Sequence, residues 1–396
     1  MKENTSYDLQ DQKIKNYHSD LGITHTKTVT LPGIRTQSGY EFKKIDLNFM
    51  TIGTLNPEKS NAVLVCHALS GDAYIAGINP ETGRPGWWDF HVGPGKAIDT
   101  DKFFVIASNV IGGCNGSTGP SSINPETNKR FGMSFPQISI RDMVAAQKRL
   151  LDFLGIEKLF SVVGGSMGGM QALIWALDYP EMVTTCIPIA TSMAHSAMQI
   201  AFNEVGRQAI LTDPNWKNGD YYDQTMPPDH GLAVARMIGH ITYLSEYSMK
   251  TKFGRKLQRV AEPEEIFPLY SIESYLHYQG ESFVKRFDPN TYLFITKAID
   301  MFDFLEDRPH NEVLRNIRSR FLVISFESDW LYPPGQSKEL VKALKRSNAT
   351  VTYCNLGTQY GHDSFLINNP EFSRIMKNFL HMEYMNQESI SEGDSD

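Results

Sequence analysis

Ser166 stands in Gly164-Gly165-Ser166-Met167-Gly168-Gly169, a run of the form G-x-S-x-G. The apolar pair Val162-Val163 precedes it, and Met170, Leu173, Ile174 and Leu177 follow at helical spacing. Strand, sharp turn and helix in that order make the setting of a nucleophile elbow, which lifts a serine hydroxyl to the edge of a sheet. The residues flanking the serine must be small if strand and helix are to approach, and Gly164 and Gly168 meet that need. At the helix N-terminus, free N–H groups and the helix dipole favour a developing anion. A phosphate cradle is the competing use of such a turn, but its Gly-Lys-Ser/Thr ending is absent from the run.

A serine hydroxyl is a weak nucleophile and needs a base that is itself oriented by a carboxylate. Around a sheet that carries an elbow, the chain order is Ser, then Asp or Glu, then His. Asp329 follows the apolar run Phe321–Ser325, with Glu327 as its rival two residues earlier. His362, in Gly361-His362-Asp363, follows the next run, Val351–Cys354. The separations are 163 and 33 residues, and the shorter one holds about one helix (Gly335 to Arg346) and one strand. Of the eleven histidines, His362 alone has this position. An acyl oxyanion also needs two backbone donors. The N–H of Met167, next to the serine, is one, and the N–H of Leu69, in the loop after the run Ala62–Cys66, is the candidate for the other.

These residues need a sheet to bring them to one edge. Ala62–Cys66, Phe103–Ala107, Phe160–Val163, Cys186–Ala190 and Phe321–Ser325 are almost continuously apolar, as expected of central parallel strands covered on both faces. Phe42–Thr54 alternates instead, as antiparallel strands at a sheet edge do. Ile138–Leu154 keeps Met143, Ala146 and Leu150 on one helical face, and the helix after Gly169 ends at Pro180. From Ser192 to Arg308 helix-like stretches replace strands: Met193–Ile210, Gly231–Lys250, Ser271–Phe287 and Thr291–Phe304. The expected architecture is α/β, a mostly parallel central sheet with helices on both faces and a helical lid insertion. The division is a polar arm (1–27), a first core part (28–191), the lid (192–310), a second core part (311–382) and an acidic, disordered tail (383–396).

The 396 residues are 41% hydrophobic and 21% charged, enough apolar material for a large core. A net charge of −7 argues against nucleic acid or an anionic membrane as a partner. The four cysteines form no CxxC pair, so neither a disulfide framework nor a metal site is indicated. Residues 1–20 lack the apolar stretch of a secretory signal, and the uncharged segment Leu159–Leu177 is interrupted by glycines, so the expectation is a soluble, cytoplasmic protein.

HALSGDAY (67–74), WWDFHVGPGKAIDTDKFFVIASNVIGGCNGSTGPSSINP (87–125), FPQISIRDMV (135–144), GGSMGGMQALIWA (164–176), ARMIGHITYLS (235–245) and YGHDSFL (360–366) resemble the homoserine O-acetyltransferases of methionine biosynthesis, enzymes of the α/β-hydrolase fold. The resemblance spans roughly residues 28 to 382. It implies Ser166 as nucleophile with Asp329 and His362, and Arg236 and Asp363 as the amino-acid-binding pair. A free amino acid presents a carboxylate, which an arginine fork can grip, and an ammonium, which an aspartate can take. On a helix Arg236 shares a face with His240 and Tyr243. The resemblance also implies acetyl-CoA as co-substrate, with succinyl-CoA as the alternative donor, L-homoserine as acceptor, no bound cofactor, and a homodimer formed through the insertion. Another hydroxy-amino acid as acceptor, or water in a serine esterase, would use the same triad. An intact triad makes a non-enzymatic binding module a poor reading.

Overall fold

The computed structural model describes residues 17–259, 269–305 and 309–393. Eight strands share one sheet: β1 (Lys27–Pro32), β2 (Lys44–Ile52), β3 (Ala62–Cys66), β4 (Phe104–Ser108), β5 (Leu159–Gly165), β6 (Val183–Ile189), β7 (Arg320–Phe326) and β8 (Val351–Leu356). Their spatial order is β1-β2-β4-β3-β5-β6-β7-β8. From β4 to β8 every neighbouring pair is parallel, while β2 lies antiparallel to both β1 and β4. Every residue of β3 and β5 is buried. Leu64 and Cys66 enter the core on one face of the sheet, and Val63 and Val65 the core on the other. A strand covered on both sides has no use for polar alternation, which is why these runs are apolar throughout.

Two helices flank the elbow strand. The helix α1 (Ile140–Leu154) opens on a capping box between Ser139 and Asp142 and stops at Gly155, whose φ is 66°. Next comes α2 (Met167–Asp178), buried on nearly all sides under the sheet. Between β6 and β7 lie α3 (Ala197–Leu211), α4 (Asp229–Tyr243), α5 (Glu246–Lys252), α6 (Ser271–Val284) and α7 (Pro289–Asp300). The stretch Gly231–Lys250, expected as one helix, is two. Leu244 is extended, and the Ser245 side chain accepts from the Ser248 N–H to cap α5. A short ladder, Leu257–Arg259 with Leu269–Tyr270, also interrupts this helical region. The chain then returns through β7, α8 (Pro334–Arg346), β8 and α9 (Pro370–Gly393).

Both termini differ from expectation. Residues 1–16 of the expected arm lie outside the described residues, but the rest of it is held down. The hydroxyls of Tyr17 and Ser19 each donate to Asp89 at 2.6 Å, Thr24 Oγ1 donates to the Ala76 carbonyl at 2.7 Å, and Ile23 bridges Ile78. Lys27–Pro32, at the arm's end, is a strand paired along its length with β2. The tail expected to be disordered continues α9 over 383–393, because neither proline nor glycine occurs between Pro370 and Gly393, while residues 394–396 lie outside the described residues. Phe372, Met376 and Leu380 bury one side of that helix, and Arg320 pairs with Glu383 at 2.9 Å. Among the described residues, no helix is long and apolar enough to cross a membrane.

Candidate active site

The elbow forms where β5 runs out. Ser166 has φ 56° and ψ −123°, a backbone conformation that a side chain adopts only under constraint. The constraint is visible: its N–H donates to the Ile189 carbonyl at 2.9 Å, and its carbonyl accepts from Gly169 and Met170. A Cβ at Gly164 would lie 2.3 Å from the Gly168 backbone, and one at Gly168 only 2.1 Å from the Cys66 carbonyl oxygen. Both glycines are therefore fixed by the crossing of α2 over the strand ends.

Asp329 and His362 come from the loops after β7 and β8. His362 Nδ1 lies 2.8 Å from Asp329 Oδ2, and both side chains are at most 5% exposed. The other carboxylate oxygen, Oδ1, accepts from the Tyr332 N–H at 2.8 Å. With Nδ1–H directed at the carboxylate, Nε2 is left as the basic nitrogen. The structure thus brings Asp329 to His362, whereas Glu327 is exposed at the start of the same loop. The loops are also tied to each other, since the Gly361 N–H donates to Ser328 Oγ at 3.0 Å.

Leu69 and Ser166 line one cavity, together with His195, Gln199, Phe202, Asn203, Thr242, Tyr243, Leu331 and Tyr332 among others. The loop bearing Leu69 is braced from behind. Val110 N–H donates to His67 Nε2 at 3.1 Å, so Nδ1 carries the hydrogen and donates to the Ala68 carbonyl at 2.7 Å. Burial accordingly holds His67 below the usual imidazole range. Gln171 on α2 donates to the carbonyls of His67 and Met167, which ties this loop to the start of the helix. Leu69 thus shares the cavity with Ser166, and Met167 opens the helix that follows the serine.

From the helical region, α4 brings Arg236 over the same edge. Its Nη1 donates to Ser70 Oγ at 3.2 Å, and its guanidinium lies over Phe283 at 4.6 Å and Tyr243 at 5.6 Å. Its Nε is buried without a hydrogen-bond partner, a donor left over for a bound group. Burial pushes the Asp363 carboxyl above the usual carboxylate range, and the charges of His362, Arg236 and Lys252 pull against that shift. Tyr243 lines the cavity, but His240 does not. It turns to the Tyr275 hydroxyl at 3.1 Å, and burial, then the cations Arg236, Arg286 and Lys252, lower it to about 2.

Sequence reasoning missed Tyr332 and His195. The Tyr332 ring stacks on His362 with centroids 4.9 Å apart and planes at 24°, its hydroxyl is 2.5 Å from His195 Nε2, and it lines the cavity with Ser166. Their signal was position alone: Tyr332 is three residues beyond Asp329, and His195 lies just past the carboxyl end of β6. Among the described residues, no cluster of His, Cys, Asp and Glu could hold a metal ion.

Residues 61–368 match the family described as the alpha/beta hydrolase fold. A protein of Methanohalobium evestigatum named homoserine O-acetyltransferase is 54% identical over 95% of this chain and 77% of its own length. Among solved structures, the homoserine O-acetyltransferase of Bacillus anthracis superposes with a TM-score of 0.84 at 29% identity, covering 90% of this chain and 98% of that one. A protein described as esterase E22 superposes with a TM-score of 0.83 at 32% identity, covering 90% of this chain and all of that one. The chain, with an elbow serine, a buried His–Asp pair and a helical region folded over both, belongs to the homoserine O-acetyltransferase family of the α/β-hydrolase fold.

Proposed function

We propose that this protein moves an acetyl group from acetyl-CoA to the hydroxyl of L-homoserine through an ester on Ser166, a step of methionine biosynthesis. What supports this reading is Arg236, held against Ser70 and Phe283 with a buried Nε left without a partner, and Asp363, next to His362 in the chain. His362 Nε2 takes the proton of Ser166 Oγ as it attacks the thioester carbonyl, and the N–H groups of Leu69 and Met167 receive the oxyanion. Collapse of the tetrahedral adduct expels the CoA thiolate, which takes the proton from His362, and leaves acetyl-Ser166. Homoserine then enters with its carboxylate toward Arg236 and its ammonium toward Asp363. His362 removes the proton of its hydroxyl, a second tetrahedral adduct forms, and Ser166 Oγ leaves with that proton. The kinetics are ping-pong.

Acetyl over succinyl is favoured by the relatives, which are named homoserine O-acetyltransferase. The exposed apolar side chains Met198, Val205 and Ile241 on α3 and α4 support a homodimer through the helical region. A cytoplasmic location fits the supply of acyl-CoA.

The likeness to esterase E22 favours a second reading, in which water accepts the acyl group. Incubation with acetyl-CoA or succinyl-CoA, each with and without L-homoserine, decides between them when free thiol is followed. The expected result is steady thiol release from acetyl-CoA that depends on homoserine. Steady release indifferent to homoserine would establish hydrolysis instead.

A further inference from the structure

Two histidines flank Tyr332, and each has a carboxylate behind it. His362 backs onto Asp329. On the other side of the cavity, His195 Nδ1 lies 3.1 Å from Asp300 Oδ1, and its Nε2 lies 2.5 Å from the Tyr332 hydroxyl. Asp300 ends α7 and is held by Arg207 Nη1 at 2.7 Å and Asn203 Nδ2 at 2.7 Å. The side chains of His195 and Asp300 are each 4% exposed. A buried carboxylate persists only with such partners, and here three different residues supply them. The ion pair to Arg207 makes Asp300 an acceptor, so the His195 Nδ1–H points at it and Nε2 faces Tyr332.

Tyr332 is where the two chains meet. Its N–H holds Asp329, its ring covers His362, and its hydroxyl meets His195 Nε2 at the cavity that Ser166 also lines. Ser166, His195, Asn203 and Tyr332 line the same cavity. The triad mechanism uses none of Arg207, Asp300 and His195, yet together they spend a buried ion pair on fixing one phenol.

We propose that the Tyr332 hydroxyl is a second hydrogen-bonding partner of Ser166 Oγ, and that His195 and Asp300 are positioning residues that act through it. This rests on Ser166 being the nucleophile. In the resting enzyme the phenol donates to His195 Nε2, and its oxygen accepts the serine hydrogen, which turns to His362 Nε2 by rotation about the serine C–O bond when substrate enters. When His362 takes that hydrogen, Oγ becomes an acceptor. The phenol then turns its own hydrogen from His195 to Oγ by rotation about the C–O bond, with no covalent bond made or broken. The same contact serves Oγ when it leaves at the end of the second half-reaction.

The test is the burst of p-nitrophenol from p-nitrophenyl acetate, which needs nucleophile and base but neither CoA nor homoserine. Tyr332→Phe deletes one oxygen and keeps both the ring on His362 and the N–H on Asp329. It should slow the burst about tenfold, the size of one hydrogen bond to a developing charge. His195→Leu should slow it about fivefold in the native background, but by less than about twofold in Tyr332→Phe, because a residue acting through the hydroxyl loses its effect with it. If His195→Leu does not fold, Asp300→Asn takes its place in the same cycle. Equal effects of His195→Leu in both backgrounds, or a Tyr332→Phe burst within about twofold of native, overturn the proposal. An intact burst without acetyl transfer from CoA to homoserine would count against the proposed function alone, since the cycle reads the phenol either way.

Discussion

The two walls of this site are built differently. On the sheet side, Ser166, Asp329 and His362 each sit within a few residues of a strand end, and backbone bonds fix them. Ser166 N–H reaches Ile189, Asp329 N–H reaches the Phe326 carbonyl at 3.1 Å, and Gly361 N–H reaches Ser328. On the helical side, Arg236 and Tyr243 ride on α4, and the bonds that tie this region to the sheet loops run from side-chain donors. The Trp330 Nε1–H donates to the Leu244 carbonyl at 3.0 Å, Ser248 Oγ donates to the Gln359 carbonyl at 2.8 Å, and Ser245 Oγ donates to that same carbonyl. The contrast follows from the tasks. Atoms that exchange a proton or form a bond must be placed within a fraction of an ångström, which a sheet edge can guarantee. Charges that hold a substrate's two ends need only be within reach. If this division holds, damage to the sheet wall should stop both half-reactions, and damage to the helical wall only the second.

The harshest test of the sheet wall is Ser166→Ala, expected to lower turnover on the order of 10⁴-fold or more with the fold retained. Mass spectrometry of the native protein with acetyl-CoA alone should show one acetyl group, on Ser166. An adduct on Cys114, whose thiol burial pushes up to about 12, or on buried Cys66, would refute the assignment. Asp329→Asn comes next, at about 10³- to 10⁴-fold in both half-reactions, because the amide stabilises the wrong tautomer of His362. Glu327→Gln, at an exposed side chain, should be mild, and the reverse order of effects would show that the wrong carboxylate was chosen.

The helical wall is tested by Arg236→Ala. It removes the fork that rests on Ser70 and stacks over Phe283, and it should weaken the second half-reaction by roughly 2–5 kcal/mol. The thiol burst from acetyl-CoA should stay near native, and the acetyl-enzyme should persist when homoserine is added. Transfer at native speed under subsaturating homoserine would place the amino-acid site elsewhere and strengthen the case for hydrolysis.

How much of this was legible in the sequence depended on whether the signal was local. Gly164, Ser166 and Gly168 lie in one turn whose crowding is written in the residue types. Apolar strands such as β3 declare themselves because both of their faces are covered. The His195–Asp300 pair spans 105 residues and joins a strand-end loop to the end of a helix, a proximity that only the packing of α3 against α7 creates. The expected run of His240 beside Arg236 and Tyr243 was correct as helix geometry. The stripe nevertheless splits, because α6 offers His240 a tyrosine partner away from the cavity. At the termini, polar composition was read as looseness. Single contacts to buried groups, such as Tyr17 to Asp89, were enough to hold residues 17–26.

The smallest effect sharpens the comparison most. Trp330 follows Asp329, but its indole N–H serves the other wall by donating to the Leu244 carbonyl where α4 ends. Trp330→Phe would keep an aromatic ring against Phe202, now 5.6 Å away and edge-on, and remove only that donor. Leu244 is 5% exposed, so its carbonyl would be left short of a partner, at a cost of about 0.5–1.5 kcal/mol. If the helical wall is a separately held body, that cost falls on its docking and not on the triad. The KM for homoserine should then rise by about threefold to tenfold while the thiol burst keeps its rate, since about 1.4 kcal/mol corresponds to a factor of ten. Slowing of burst and transfer by the same factor would mean that the aspartate loop had moved with the indole. The two walls would then act as one mechanical unit, and the division drawn from their different construction would not hold.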